Sequence, residues 1–148
     1  MSHPSRLAAV REAAWERHAN PKSGWSRVAS LPLLMLAIYR RDERLLVGTV
    51  LFVVLNPVLF QPPTDDDAWM TRVVYGERLW LEHGDRRHPI QLLNVCNAAC
   101  TIYAVRAAVR RQPVRTALAT AGAMALKFLF VAFIADYYDR HAADVTPE

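Results

Sequence analysis

Residues 45–55 read LLVGTVLFVVL, an apolar run without a single charged side chain. A core helix of a soluble protein would instead carry an apolar stripe with polar residues on the opposite face. This run is apolar all round, and so is the stretch from Phe128 to Ala135. A soluble bundle of this size has no interior large enough to enclose two such helices. The run therefore favours helices surrounded by hydrocarbon over the competing interpretation, a soluble helical bundle.

The composition sets the outer limits of the fold. The chain has 148 residues, of which 53% are hydrophobic and 22% charged, with a formal net charge of +4. That length predicts a single domain, residues 1–148. The apolar fraction is too high for a disordered chain and too low for a protein that is nearly all membrane helix. Two cysteines exclude a disulfide framework or a zinc site built from four cysteines.

Four apolar blocks follow a basic first segment of 27 residues, which has no apolar run and so predicts no cleavable signal peptide. A membrane span needs about 20 apolar residues. The last two blocks reach that length, and the first two reach it only if flanking side chains snorkel to the interface. The sequence predicts an all-α fold with four transmembrane helices, arranged as two hairpins, at residues 26–40, 44–60, 90–109 and 114–135.

Two further segments are predicted as amphipathic interfacial helices, one at the N-terminus over residues 5–18 and one in the central linker over residues 66–82. Each has an apolar or aromatic face opposite a charged face, which is typical of helices that lie along the headgroups. The acidic run Asp65 to Asp67 is predicted to cap the second of them.

An even number of spans places both termini and the linker on one side of the membrane. That side carries more Lys and Arg than the two turns, which favours a cytoplasmic location for both termini in the cell membrane. The second hairpin is predicted to close through small residues, because membrane helices associate where backbones can approach closely. The predicted ridges are Cys96, Cys100, Ala104 and Ala108 on the third span, and Ala117, Ala121 and Ala125 on the fourth.

Lys127 is the most informative single residue, because an ionisable group inside a span is costly and marks a functional site by default. Its expected partner is Asp136, Asp139 or a carboxylate of the linker. The functional hypothesis is an anion site or ion path, and the alternative is a lysine that snorkels or pairs for packing. The candidate polar site comprises Lys127, Glu77, Arg78, Asn56, Asn20, Arg27, Asn94 and Asn97.

Metal or haem binding is a weaker hypothesis, since imidazole and carboxylate groups suit iron, zinc or manganese. The spacing shows no Glu-x-x-His pair and no His-Glu-x-x-His motif. The candidates for such a site are His18, Glu77, Glu82, His83 and His141. No nucleic-acid module is present, and the basic charge is better explained by anionic lipid because the arginines flank the apolar blocks.

Three motifs resemble a known family: HANPKSGWSR at 18–27, LNPVLFQPP at 55–63 and YGERLWL at 75–81. The family comprises small multi-pass membrane proteins of bacteria and halophilic archaea and is catalogued only as a domain of unknown function. The resemblance covers roughly residues 12 to 135. It implies an integral membrane protein and supplies no activity, cofactor or catalytic residue. Within the motifs, Asn20 or Asn56 is expected to cap helix ends, and Glu77 to pair with Arg27 or Arg78.

The leading functional prediction is therefore a small polytopic membrane protein without enzymatic activity, an assembly or accessory subunit embedded in the lipid bilayer. Its predicted partners are a second copy of the chain or another membrane protein. The alternatives are a small transporter or channel with Lys127 in an anion site, and a membrane metal- or haem-binding protein.

Overall fold

The computed structural model describes residues 6–85 and 87–145, and over these residues it contains six α-helices and no strand. The helical class is as predicted, and most helix ends lie within a few residues of the expected positions. The largest difference is the last helix, which continues to Val145 instead of ending at residue 135. The helices are α1 Arg6–His18, α2 Pro21–Arg40, α3 Glu43–Leu59, α4 Trp69–His83, α5 Gln91–Val109 and α6 Pro113–Val145.

Two helical hairpins, α2–α3 and α5–α6, close through the same kind of turn. Arg41 and Arg111 have φ angles of 57° and 55°, in the left-handed region that glycine usually occupies. The next residue in each turn donates its backbone N–H five residues back, from Asp42 to the Ala37 carbonyl and from Gln112 to the Ala107 carbonyl, both at 3.0 Å. A side chain in this conformation costs about 1–2 kcal/mol. Both turns therefore keep arginine where glycine would be less strained.

A polar network inside the first hairpin joins α2 to α3. Asn56 is fully buried and accepts a hydrogen bond from the Ser23 hydroxyl at 2.5 Å. Its side-chain nitrogen donates to the Ser26 hydroxyl at 2.8 Å. The expectation that Asn56 caps a helix end is therefore wrong, because this residue lies inside α3 and bonds to the neighbouring helix.

Helix α4 packs on the second half of α6. Trp80 is 6% exposed and meets Phe133 and Tyr137 edge-on, with ring centroids 5.4 and 4.9 Å apart. Gly76 allows the close approach, since a Cβ added there would stand 2.4 Å from the Ile134 carbonyl oxygen. The apolar face predicted to rest on headgroups is thus covered by protein, chiefly by Phe130 and Ile134 within the predicted last span and by Tyr137 just beyond it.

The cap predicted for α4 is also different. Ala68 is the N-cap and makes no side-chain hydrogen bond. Asp65 instead accepts from the backbone N–H of Asp67 at 3.2 Å, and the Tyr138 hydroxyl donates to Asp66 at 3.1 Å. The acidic run therefore forms a turn tied to α6 and ends before the helix begins.

Small residues close the second hairpin, as expected, but along a different ridge of α6. On α5, Ala104 and Ala108 are buried, whereas Cys96 is exposed. On α6 the buried small residues are Thr116, Thr120 and Ala123. The predicted alanines Ala117, Ala121 and Ala125 are exposed. The spacing of four residues between small side chains is confirmed on α5, whereas the predicted face of α6 points away from α5.

Among the helices of residues 6–85 and 87–145, two and not four are long and apolar enough to cross a membrane, namely α5 and the segment Pro113–Ala142 of α6. Helix α3 has 17 residues, which gives about 25 Å of helix against a hydrocarbon layer of about 30 Å. Helix α2 has 20 residues, but its first turns carry Lys22, Arg27 and three serines. The shortness of α3 and the polar start of α2 explain why these two helices do not qualify by length and composition.

Candidate functional site

A cavity of about 460 Å³ lies between α2, α4, α5 and α6. Its volume falls within the usual range for small-molecule sites, roughly 300–1,000 Å³. Most of its wall is apolar, formed by Val28, Leu31, Val73, Val74, Phe128 and Val131. Charged and polar side chains from all four helices reach the same space, namely Arg27, Glu77, Asn97, Thr101 and Lys127.

Lys127 pairs across the cavity wall with Glu77 of the central linker. The distance between Lys127 Nζ and Glu77 Oε1 is 3.4 Å, and the side chains are 50% and 27% exposed. The ammonium also lies 5.1 Å from the centroid of the Phe130 ring, a distance at which a cation is attracted to the aromatic face. The partner is thus the linker carboxylate. The other two candidates, Asp136 and Asp139, pair with Arg140 and Arg72.

Arg27 is held in place by two residues that precede it in the chain and lie outside the cavity, Ser23 and His18. Its Nε donates to the Ser23 carbonyl at 3.3 Å, and its Nη1 contacts His18 Nε2. Burial, together with the nearby Arg27 charge, lowers the pKa of His18 to about 4. His18 is therefore neutral at pH 7 and accepts a hydrogen bond from the guanidinium, which fixes the direction of Arg27.

The charges in the cavity do not cancel. Two cations, Arg27 and Lys127, face one carboxylate, Glu77, among the lining residues that the structure describes. One positive charge is therefore in excess inside a largely apolar space, where electrostatic attraction is stronger than in water. An anion with an apolar body fits this combination, because the wall would cover the body and the cations would hold the charged group.

Asn97 contributes to the same cavity by linking its two flanking helices. Its side-chain nitrogen donates to the Ala123 carbonyl of α6 at 2.6 Å. The Thr101 hydroxyl donates back to the Asn97 carbonyl at 2.9 Å, within α5. The amide therefore fixes α5 against α6 one helical turn before Lys127.

The other four candidates of the polar site lie outside the cavity. Asn20 caps α2, as expected, by accepting from the Lys22 backbone N–H at 2.8 Å. Asn56 belongs to the α2–α3 network, and Asn94 donates to Gln91 at 2.9 Å on its own helix. Arg78 pairs with Glu12 and Glu82 instead of Glu77.

The Arg78 pair attaches α1 to α4. Two guanidinium nitrogens donate to the two Glu12 carboxylate oxygens at 2.5 and 2.9 Å. The hydrogen bonds from Arg78 lower the pKa of Glu12 below its usual value. Because both side chains are more than a third exposed, the pair contributes little stability and mainly positions α1.

The residues proposed for a metal site are dispersed. Across residues 6–85 and 87–145, no three His, Cys, Asp or Glu side chains lie close enough together to hold one metal ion. His18 contacts Arg27, Glu82 pairs with Arg78, and His141 stacks on Tyr137 with ring centroids 4.3 Å apart. His83 lies at the last position of α4.

Met124 is a site residue that the sequence did not indicate. It lines the charged cavity and also a second, apolar groove of about 450 Å³ between α2 and α6. No spacing or motif distinguishes this methionine from a packing residue. Only the crossing of α2 over α6 brings both spaces to the same side chain.

Comparison with known proteins gives one match. No curated protein and no solved structure matches the chain. A family model described as a family of unknown function, DUF6653, matches residues 5–148. The match covers more of the chain than the resemblance seen in the three motifs, and it carries no statement about membranes or source organisms. The chain therefore belongs to DUF6653, a family of unknown function.

Proposed function

We propose that this chain is a small multi-pass protein of the cell membrane that binds an organic anion in the cavity between α2, α4, α5 and α6. The observation that carries the proposal is the excess cation: Arg27 and Lys127 share one carboxylate, Glu77, within an apolar wall. The Lys127–Glu77 pair alone would also fit a lysine that pairs for packing, and it is the second cation, Arg27, lining the same cavity that favours the anion site.

The membrane placement is supported by apolar surface that the chain itself does not cover. Only 17% of the α5 span and 33% of the α6 span are buried inside the protein, whereas a soluble core helix would be mostly buried. Helix α3 exposes aliphatic side chains along its whole length, including Val47 at 56%, Val54 at 67% and Leu59 at 54%. An apolar surface of this extent requires lipid or protein to cover it.

We propose four spans, and the arrangement of the hairpins supports this. The α2–α3 hairpin is joined internally at Asn56, so α2 and α3 would insert together. Tyr39 and Pro113 line the same groove, so the turns of both hairpins lie at one end of the molecule. We propose that this end faces one side of the membrane and that both termini and the linker face the other, with arginine stems extending the short first hairpin.

The two native cysteines test whether hydrocarbon surrounds α5. Cys96 is exposed and Cys100 half-buried in the structure, so both would react with a polar maleimide in water. Hydrocarbon around the helix would keep this polar reagent away from both thiols. We expect neither cysteine to be labelled in open membrane sheets, and both to be labelled after denaturation in detergent. A C96A/C100A/D67C variant, with its thiol in the exposed linker turn, serves as the positive control, and labelling of Cys96 at the control's rate would contradict the placement.

Lys127→Met tests the anion site. We expect wild-type protein in dodecylmaltoside to bind a brominated fatty acid more tightly than its methyl ester, measured by quenching of Trp25 and Trp69, which lie near the Phe128 wall. The substitution removes a charge-assisted contact and should weaken binding of the acid at least tenfold, leaving the ester unchanged. Lys22→Met is the matched control, because Lys22 is the chain's other lysine and does not line the cavity.

Glu77→Gln should change the affinity in the opposite direction. The substitution removes the carboxylate that competes for both cations, so the fatty acid should bind more tightly than to the wild type. Misfolding would not strengthen binding, which separates this result from loss of structure. The anion site would be disproved if the wild type, Lys127→Met and Glu77→Gln each bound the acid and the ester with equal affinity.

Two hypotheses stay predictions. The role of an assembly or accessory subunit is supported by Ala125 of α6, which is exposed and lies outside the α2–α6 groove, since small residues let membrane helices approach each other closely. A copy number of one, with no second protein, in native mass spectrometry would contradict it. The metal or haem hypothesis has no cluster of ligands in the described part of the chain.

A further inference from the structure

Seven arginines gather at the end of the molecule where both hairpins turn. Only two acidic residues, Asp42 and Glu43, accompany them there. Within the part of the chain that the structure describes, none of the seven forms an ion pair with a carboxylate, whereas Arg72, Arg78 and Arg140 at the opposite end all do. The seven, here called the turn arginines, are Arg40, Arg41, Arg44, Arg106, Arg110, Arg111 and Arg115.

An apolar groove begins directly beside the turn arginines. It lies between α2 and α6, has a volume of about 450 Å³, and is lined by Met35, Leu36 and Ala121 among others. At its turn end stand Tyr39, which precedes Arg40, and Pro113, which lies two residues before Arg115. The apolar groove thus continues into a strongly basic surface.

We propose that this groove holds one acyl chain of an anionic phospholipid, whose phosphate is bound by the turn arginines. Guanidinium groups match phosphate oxygens with paired donors and are weakly hydrated. The two strained positions, Arg41 and Arg111, fit this role, since each turn keeps a cation where glycine would relax the backbone. The inference rests on the membrane placement proposed above and does not depend on the anion cavity.

Lipid is the occupant that the surroundings favour. Aliphatic side chains next to the groove on α6 are widely exposed, Val114 at 68% and Leu118 at 69%. A bilayer would cover these side chains and the groove as one continuous surface. A nucleic acid would be held by the arginines but would leave the apolar groove open.

The test compares phosphatidylglycerol with phosphatidylcholine of identical acyl chains, titrated onto the full protein in dodecylmaltoside and followed by native mass spectrometry. We expect the wild type to bind phosphatidylglycerol more tightly. An R41G/R111G variant should bind it roughly 30-fold more weakly, with phosphatidylcholine unchanged, because two cations are lost near an anionic group. The glycines also relax both turns, so the variant should melt at a higher temperature and loss of fold is excluded as the cause.

Two controls locate the effect. An R6Q/R11Q variant removes the same charge from α1 and should leave both lipid affinities unchanged. Ala121→Trp should fill the groove and weaken the binding of both lipids. Ala125→Trp should leave both affinities unchanged, because Ala125 lies one turn further along the exposed side of α6 and outside the groove.

Three results would overturn the lipid site: equal affinity of the wild type for both lipids, full affinity of the R41G/R111G variant for phosphatidylglycerol, or a stable dimer that Ala121→Trp disperses and that Ala125→Trp and added lipid do not. The last result would mean that a second copy fills the groove. If the lipid titration fails but Cys96 is still protected from maleimide, the lipid site is wrong and the membrane placement is unaffected. Labelling of Cys96 would remove that placement itself.

Discussion

Gly76→Ala is expected to lower the free energy of unfolding by roughly 2–3 kcal/mol, which is a large fraction of the stability of a small domain. The added Cβ would stand 2.4 Å from the Ile134 carbonyl oxygen and 2.9 Å from its Cγ2. A backbone atom cannot rotate away, so α4 must move off α6. Thermal unfolding in detergent, followed by circular dichroism, measures the loss.

Gly48→Ala is the matched control for this prediction. Gly48 also lies inside a helix, but nothing stands within 4 Å of the Cβ that alanine would add. This substitution should raise stability by about 0.5–1 kcal/mol, because alanine loses less backbone entropy than glycine on folding. Equal melting temperatures for the two alanine variants would contradict the close approach of α4 to α6.

Asn56→Ala is expected to cost about 2–4 kcal/mol. The substitution leaves a cavity and removes two hydrogen bonds between α2 and α3, to Ser23 at 2.5 Å and to Ser26 at 2.8 Å. The Ser23 hydroxyl, fully buried, would lose its acceptor. The measurement is again thermal unfolding in detergent.

A double-mutant cycle with Ser23→Ala isolates the bond between the two helices. Once Asn56 is absent, removing the Ser23 hydroxyl should cost little, so we expect a coupling energy of about 1 kcal/mol. Thr49→Val is the control on the same helix, because the buried Thr49 hydroxyl bonds only to the Leu45 carbonyl of α3. Additive effects of S23A and N56A would show that the network does not hold the hairpin together.

Helix positions could be predicted largely because charge and hydropathy alternate in blocks. Arginine-rich turns end α2 and α5, and Asn20 supplies the start of α2. The neighbours of each face could not be predicted in the same way. Periodicity shows which residues share a side of α4, but only the packing of that side on Phe130, Ile134 and Tyr137 of α6 shows that protein covers it.

The candidate site was predictable in part for the same reason. Lys127 and Asn97 are indicated by a polar side chain within an apolar block, and Arg27 and Glu77 by their positions in the motifs. Their meeting in one cavity depends on four helices crossing, and no spacing along the chain encodes it. The contact between His18 and Arg27 joins the end of α1 to the second turn of α2, and it could not be predicted for the same reason.

Met124 lines both the charged cavity and the apolar groove, so this one side chain stands where the two spaces meet. Methionine is unbranched and flexible, so a change of its rotamer would alter the opening between them. On the membrane placement proposed above, a solute dissolved among the lipid tails would reach Lys127 laterally from the groove. The acyl chain proposed to lie there would have to leave first, so the lipid and the organic anion would compete for the same route.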